Sequence, residues 1–205
     1  KKTRKVLHGI DHKTFEPIPS IKRKKNQLIT TASADVPLKG LIYLIRAYSY
    51  LLKEFPDLSL IVIGKLRDGP TSKELNKKGI KDKVKFVSDL TNRQITELYA
   101  ESTIAVSPSV YEGFGFPLVE MMSRGLPVIA SNGGSLPELL SESGLTFDPF
   151  DKDDLTAKIK QMIENTNLRE KFALNSLNRM DDFFDWDEYA MKLEPLYQKI
   201  LSGHF

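Results

Sequence analysis

Apolar segments of two kinds alternate along the chain. Residues 28–32 (LITTA), 58–64 (LSLIVIG), 84–87 (VKFV), 104–106 (IAV), 127–131 (PVIAS) and 144–147 (GLTF) are short, apolar or β-branched runs. Runs of this length without strict alternation suit strands of a parallel sheet covered on both faces. Between them, apolar residues recur three and four apart. Over 39–54 the stripe is Leu41, Leu44, Ile45, Tyr48, Leu51 and Leu52, which predicts an amphipathic helix. A weaker helical pattern covers 71–78 and stops at Gly79; a firmer one covers 91–101, where Thr91 and Gln94 have capping-box spacing. Ser135 and Glu138 repeat that spacing ahead of 136–140, and 151–201 reads as mainly helical with breaks near 165–167 and 183–187. Residues 1–26 lack periodicity, hold Pro17, Pro19 and the run KRKK, and read as a linker before a domain spanning 27–205.

Strands and helices in this alternation build βα units with right-handed crossovers. The predicted fold is α/β, a Rossmann-like doubly wound parallel sheet of about six strands with C-terminal helices. Ligands of such sheets bind beyond the carboxyl ends of the strands. Three turns fall on that edge: 33–40 (SADVPLKG), 111–120 (YEGFGFPLVE) and 132–135 (NGGS).

The second turn is the most informative. Glu112 and Glu120 flank Gly113, Phe114, Gly115, Phe116, Pro117 and Leu118 between a strand and a helix. A glycine-rich turn opening a helix presents backbone N–H groups to a phosphate. Pro117 is expected at the first helical position, and Glu120 in the first turn, where the helix dipole alone would favour it. In the first turn, Lys39 and Gly40 fall at the predicted helix start. The dipole repels a lysine there, a conflict that a bridging anion would resolve. Paired carboxylates serve as acid and base, as metal ligands or as acceptors for hydroxyls. No third hard ligand lies near them in sequence, which disfavours metal. A carboxylate accepting two adjacent hydroxyls is how Rossmann-type sites hold a ribose, so phosphate, ribose and a second carboxylate together suggest a nucleotide carrying another polyhydroxy group.

Composition narrows the classes. The 205 residues are 40% hydrophobic and 28% charged, with a net charge of +3; that is enough chain for one core and too little charge to argue for nucleic acid. There is no cysteine, and His8, His12 and His204 lie near the termini, so a thiolate site is excluded and a zinc site is not expected. No apolar run approaches the ~18 residues of a membrane span, no signal-peptide core or N-glycosylation sequon occurs, and the pattern is that of a cytoplasmic protein. The first residue is Lys1, as expected for a piece of a longer protein.

The motif Glu112-GFGFPLV-Glu120 resembles the E-x7-E motif of retaining GT-B glycosyltransferases of family 4, the glycosyl transferases group 1. The likeness runs through SPSVYEGFGFPLVEMMSRGLPVIASNGGSLPELL, and Lys39–Gly40 resembles the family's phosphate-binding KG pair. FDWDEYA (184–190) resembles its C-terminal F-S-W segment, and HGID (8–11) its interdomain N-G-V-D. The resemblance implies the C-terminal, donor-binding half of a two-domain enzyme that moves a hexose from a nucleoside diphosphate sugar to an acceptor hydroxyl with retention. It places Glu120 on the nucleotide ribose, Glu112 beside the donor sugar as the catalytic residue, and Lys39 with the amides around Gly115 and Phe116 on the diphosphate. Val87, Ser88 and Leu90 would line the base pocket. No cofactor and no metal are implied. The acceptor, a glycan, lipid or small molecule, would bind a preceding domain, which leaves peripheral association with the inner face of a membrane open. One departure is that the arginine usual five residues before the KG lysine is Ala34 here, with Arg67 a candidate substitute. The alternatives are a non-catalytic sugar-nucleotide-binding or assembly module, a nucleotide-sugar epimerase and a glycogen or starch synthase.

Overall fold

A computed structural model describes residues 6, 8–32 and 36–203. The described residues form six strands in one sheet: β1 Gln27–Thr31, β2 Ser59–Ile63, β3 Val84–Val87, β4 Ile104–Ser107, β5 Val128–Ser131 and β6 Gly144–Phe147. Every pairing is parallel and the order is β3-β2-β1-β4-β5-β6. This is the doubly wound Rossmann-like order. The chain moves outward from β1 to β3, then crosses back to β4, so the two directions part between β1 and β4.

Helices α1 (Leu41–Glu54), α2 (Pro70–Lys78) and α6 (Lys152–Glu164) flank the sheet, as do α3 (Asn92–Glu101), α4 (Phe116–Ser123), α5 (Leu136–Leu140), α7 (Thr166–Arg179) and α8 (Trp186–Leu201). Alternate strand residues serve opposite faces. Leu28, Leu60 and Val62 join a core with α1, α2 and α6, whereas Ile29, Ile61 and Ile63 join one with α3, α4 and α5. Burial on both faces is why the strands read as unbroken apolar runs.

The expected elements are present with local shifts. Thr91 and Gln94 form the reciprocal capping box of α3. Ser135 does not cap α5; its hydroxyl is turned to other carbonyls. Helix α1 begins at Leu41, the first residue of its apolar stripe and two residues later than the expected span of 39–54, because Pro37–Lys39 forms a separate 3-10 turn closed by a left-handed Gly40. Residues 8–26 contain no helix or strand, yet Ile10 and Phe15 are buried against α4 and its neighbours. Arg124, itself buried, donates to the carbonyls of Thr14 and Glu16, and Arg23 donates to the Gly125 carbonyl at 2.7 Å.

Candidate functional site

Three loops meet at the carboxyl edge of the sheet, where β1 and β4 diverge. The loop after β1 carries Lys39 and Gly40. The loop after β4 carries Glu112, Gly113 and Phe114 and ends at Gly115, the N-cap of α4. The loop after β5 runs from Asn132 to Ser135. Backbone contacts fasten them to one another. The Val110 N–H donates to the Leu38 carbonyl at 2.8 Å across the β1–β4 gap. Gly40 has φ 63°, and a Cβ there would collide with the Pro108 carbonyl oxygen. Gly133 and Gly134 press as closely on the carbonyls of Val110 and Glu112. Ser135 completes the join: its N–H donates to Glu112 O at 3.1 Å, and its hydroxyl donates to the Phe114 carbonyl, with the Glu112 carbonyl also within reach at 3.2 Å.

Within this frame the Lys39 ammonium lies 2.5 and 3.1 Å from the two oxygens of Glu112. The lysine side chain is 33% exposed and the glutamate 14%. The predicted cation and carboxylate are therefore neighbours, and each satisfies the other. Helix α4 starts directly beyond. Gly115 gives it no side-chain cap, and its first turn holds no acidic residue. Pro117 has no N–H, and those of Leu118 and Val119 donate to the Gly115 carbonyl, which leaves the N–H groups of Gly115 and Phe116 for water or an anion. Phe116 opens the helix and Pro117 follows it, so Pro117 sits one place later than predicted and Glu120 lies on the second turn.

Glu120 is partly buried and forms one wall of a cavity of about 260 Å³, with Asp11, Asn92, Ser123, Phe116 and Trp186 among the other walls. Burial pushes its carboxyl above the usual range, and the hydroxyl of Tyr99, which donates to it at 3.3 Å, pulls the other way. Asp11 shares that cavity and is held below its ordinary value by hydrogen bonds from the Thr14 side chain and backbone. Tyr99 was not singled out in the sequence. A buried tyrosine needs a partner for its hydroxyl, but the pattern alone marks Tyr99 as one more apolar position of α3.

The remaining predicted residues scatter in role. Phe114 and Phe116 pack on each other at 4.8 Å and on His8 at 4.8 and 5.7 Å. Leu118 is buried in the core, its N–H bonded to the Gly115 carbonyl. Gly113 is exposed with open space around it. Val87 closes the edge strand β3, two strands from β1, and Ser88 and Leu90 follow it; Val87 and Leu90 are partly buried, and Ser88 donates to Asp89. Arg67 is exposed in the loop after β2. Ala34 and His204 lie outside the described residues. Among the described residues, no group of three or more His, Asp or Glu side chains is arranged to hold a metal ion, and no helix is long and apolar enough to cross a membrane.

Comparisons with known proteins bear on the family and the fold. The family model for glycosyl transferases group 1 matches residues 13–179. An MMP alpha-(1->4)-mannosyltransferase of Mycolicibacterium hassiacum is 35% identical over 198 residues, covering 95% of this chain and 47% of the relative. The C-terminal domain of a glycosyl transferase group 1 protein from Francisella tularensis superposes with a TM-score of 0.72 at 27% identity, over 85% of this chain and 97% of that one. An Anabaena protein, HepE, solved with UDP and glucose, superposes with a TM-score of 0.79 at 22% identity, over 93% of this chain and 55% of that one. The chain spans about half the length of the mannosyltransferase it matches. By its glycine-rich turn, its parallel sheet and the match over 13–179, the chain belongs to the glycosyl transferases group 1 family, with the Rossmann-like fold of GT-B glycosyltransferases.

Proposed function

We propose that this chain is the donor-binding half of a retaining glycosyltransferase, which transfers a hexose from a nucleoside diphosphate sugar to an acceptor hydroxyl. The observation that carries the reading is the meeting of Lys39, Glu112 and the uncapped start of α4 at the β1–β4 divergence, with Glu120 one turn further on. Negative charge grows on the leaving diphosphate during transfer. An ammonium and helix N–H groups fixed beside it stabilise that charge without reorganising. Glu120 offers a carboxylate to the paired hydroxyls of a ribose. Glu112, whose ammonium partner the diphosphate competes for, then lies beside the sugar and positions it.

The relatives support the donor class: one is named a mannosyltransferase, and the Anabaena protein was solved with UDP and glucose. Val87, Ser88 and Leu90 are assigned to the base. No metal is required, since an ammonium and helix dipole supply the positive charge. The acceptor, be it glycan, lipid or small molecule, belongs to the part of the enzyme outside this chain, as does any docking to the inner face of a membrane.

Calorimetric titration with UDP, GDP and ADP tests the reading. The expected result is binding of one diphosphate that Glu120→Ala abolishes and Glu112→Ala largely spares, with Glu112→Ala blocking turnover in the full chain and turnover surviving EDTA. Normal binding by both variants refutes the assignment.

A further inference from the structure

Glu120 is held from behind. Tyr99, fully buried on α3, points its hydroxyl into the gap between the end of β1 and helix α4. There it lies 2.8 Å from the Thr31 hydroxyl and 3.3 Å from one carboxylate oxygen of Glu120. If the phenol donates to Glu120, the Thr31 hydroxyl must donate to the phenol oxygen, because each hydroxyl has one proton. The chain Thr31, Tyr99, Glu120 thus runs from the last residue of β1, through α3, to α4. Among the described residues, Tyr99 is the one side chain that hydrogen-bonds Glu120. The second carboxylate oxygen is left for a ligand.

We propose that Tyr99 is a positioning residue for ligand hydroxyls. Seated on Thr31, it fixes the rotamer of Glu120 so that the free oxygen faces an adjacent hydroxyl pair, and it keeps the carboxylate charged and therefore a stronger acceptor. This rests on the reading of Glu120 as the acceptor of the ribose hydroxyls. The groups around Glu120 fit the role. Asp11 across the cavity is anionic and already bonded to Thr14, Asn92 and Ser123 are neutral, and Phe116 and Trp186 are apolar. Arg124, on the next turn of α4, is committed to the Thr14 and Glu16 carbonyls. Among the described residues no cation lines the cavity beside the carboxylate, and the phenol hydroxyl is what opposes the effect of burial.

The test separates this role from packing. Tyr99→Phe, Thr31→Val and the double variant are titrated with UDP, GDP and ADP across pH in the full chain, beside Glu120→Gln. Glu120 is also followed without ligand by carbon-13 carboxylate resonance. A hydroxyl-bearing ligand needs the ionised carboxylate, so affinity falls as pH drops through the pKa of Glu120. Tyr99→Phe is expected to weaken the preferred diphosphate about tenfold, the loss of one hydrogen bond to a charged group. It is also expected to move both the acid limb of binding and the midpoint of the carboxylate resonance to higher pH. The double variant removes both hydroxyls and so leaves no unpartnered Thr31 hydroxyl. A packing role predicts that it recovers affinity; positioning predicts that the deficit and the shifted acid limb persist. Unchanged affinity and midpoint in Tyr99→Phe overturn the inference while leaving the role of Glu120 intact. Full affinity in Glu120→Gln overturns that role instead, with the resonance midpoint still reporting on Tyr99.

Discussion

The Lys39 ammonium lies 2.5 and 3.1 Å from the two carboxylate oxygens of Glu112, 73 residues away in the chain, and the glutamate side chain is 14% exposed. The pair is self-neutralised only while no other anion is present. Under the proposed function, a diphosphate arriving at the start of α4 would compete for the ammonium, and the carboxylate released by that exchange would face the sugar. The proposed function thus makes ligand binding and the readiness of Glu112 one event.

That coupling predicts opposite effects from its two members. Lys39→Met should weaken nucleoside diphosphate binding about tenfold to hundredfold, the range for one charge-assisted contact. Glu112→Gln should leave binding intact or tighten it, because the ammonium no longer has to be shared. Repeating the titrations at several salt concentrations adds a second readout, since screening weakens the Lys39 contribution and the variant without it should show a flatter slope. Equal losses in both variants would mean that the pair acts as structure.

The position of Gly40 makes a prediction about the frame and not the ligand. Its φ of 63° costs a residue with a Cβ about 1–2 kcal/mol, and that Cβ would strike the Pro108 carbonyl oxygen. Backbone cannot swing aside as a flexible side chain does. Gly40→Ala should therefore lower the urea midpoint by more than the dihedral cost alone and open the β1–β4 gap. Gly79→Ala has a matching φ of 63° with nothing within 4 Å, so it isolates the dihedral term. Comparable losses at the two positions would sink the close-approach argument.

Much of this was readable in the order of residues. The strands declared themselves because burial on both faces demands unbroken apolar runs, as in Leu60, Ile61, Val62 and Ile63. The carboxyl-edge loops followed from the alternation of elements, and with them the placement of Lys39, Glu112 and Glu120 at that edge. What stayed hidden depends on contacts between distant segments. Ser135 has the spacing of a cap, but Glu112 and Phe114 offer its hydroxyl better-placed carbonyls. Tyr99 looks like any core tyrosine until Thr31 and Glu120 converge on it. Residues 8–26 read as linker because Ile10 and Phe15 lack periodicity, although both are buried.

Because Ser135 ties the third loop to the carbonyls of the second, its removal should loosen the motif more than the fold. Ser135→Ala deletes the hydroxyl that reaches Glu112 and Phe114, at a cost of about 1 kcal/mol for an ordinary hydrogen bond. Faster amide exchange confined to 111–116 and 132–135, with weaker diphosphate binding, is the expected outcome. Exchange that rises evenly across the sheet would point to global destabilisation.

Glu120 itself should trade stability for function. Burial raises its carboxyl above the ordinary value of 4.5. A group whose folded pKa is raised favours the folded state fully below its unfolded pKa and loses that contribution as pH rises through the folded one. At neutral pH the ionised side chain is therefore a burden on the folded protein. Glu120→Gln keeps an acceptor for the Tyr99 hydroxyl while removing the charge. Without ligand, the variant should melt at a higher temperature than the parent at pH 7, and the gap should close as pH falls below about 4, where the parent carboxyl is protonated in both states. A saturating nucleoside diphosphate should reverse the order at pH 7, because it stabilises the parent by mass action and the variant hardly at all. A variant less stable than the parent at every pH would show that the charge is fully compensated in the free protein.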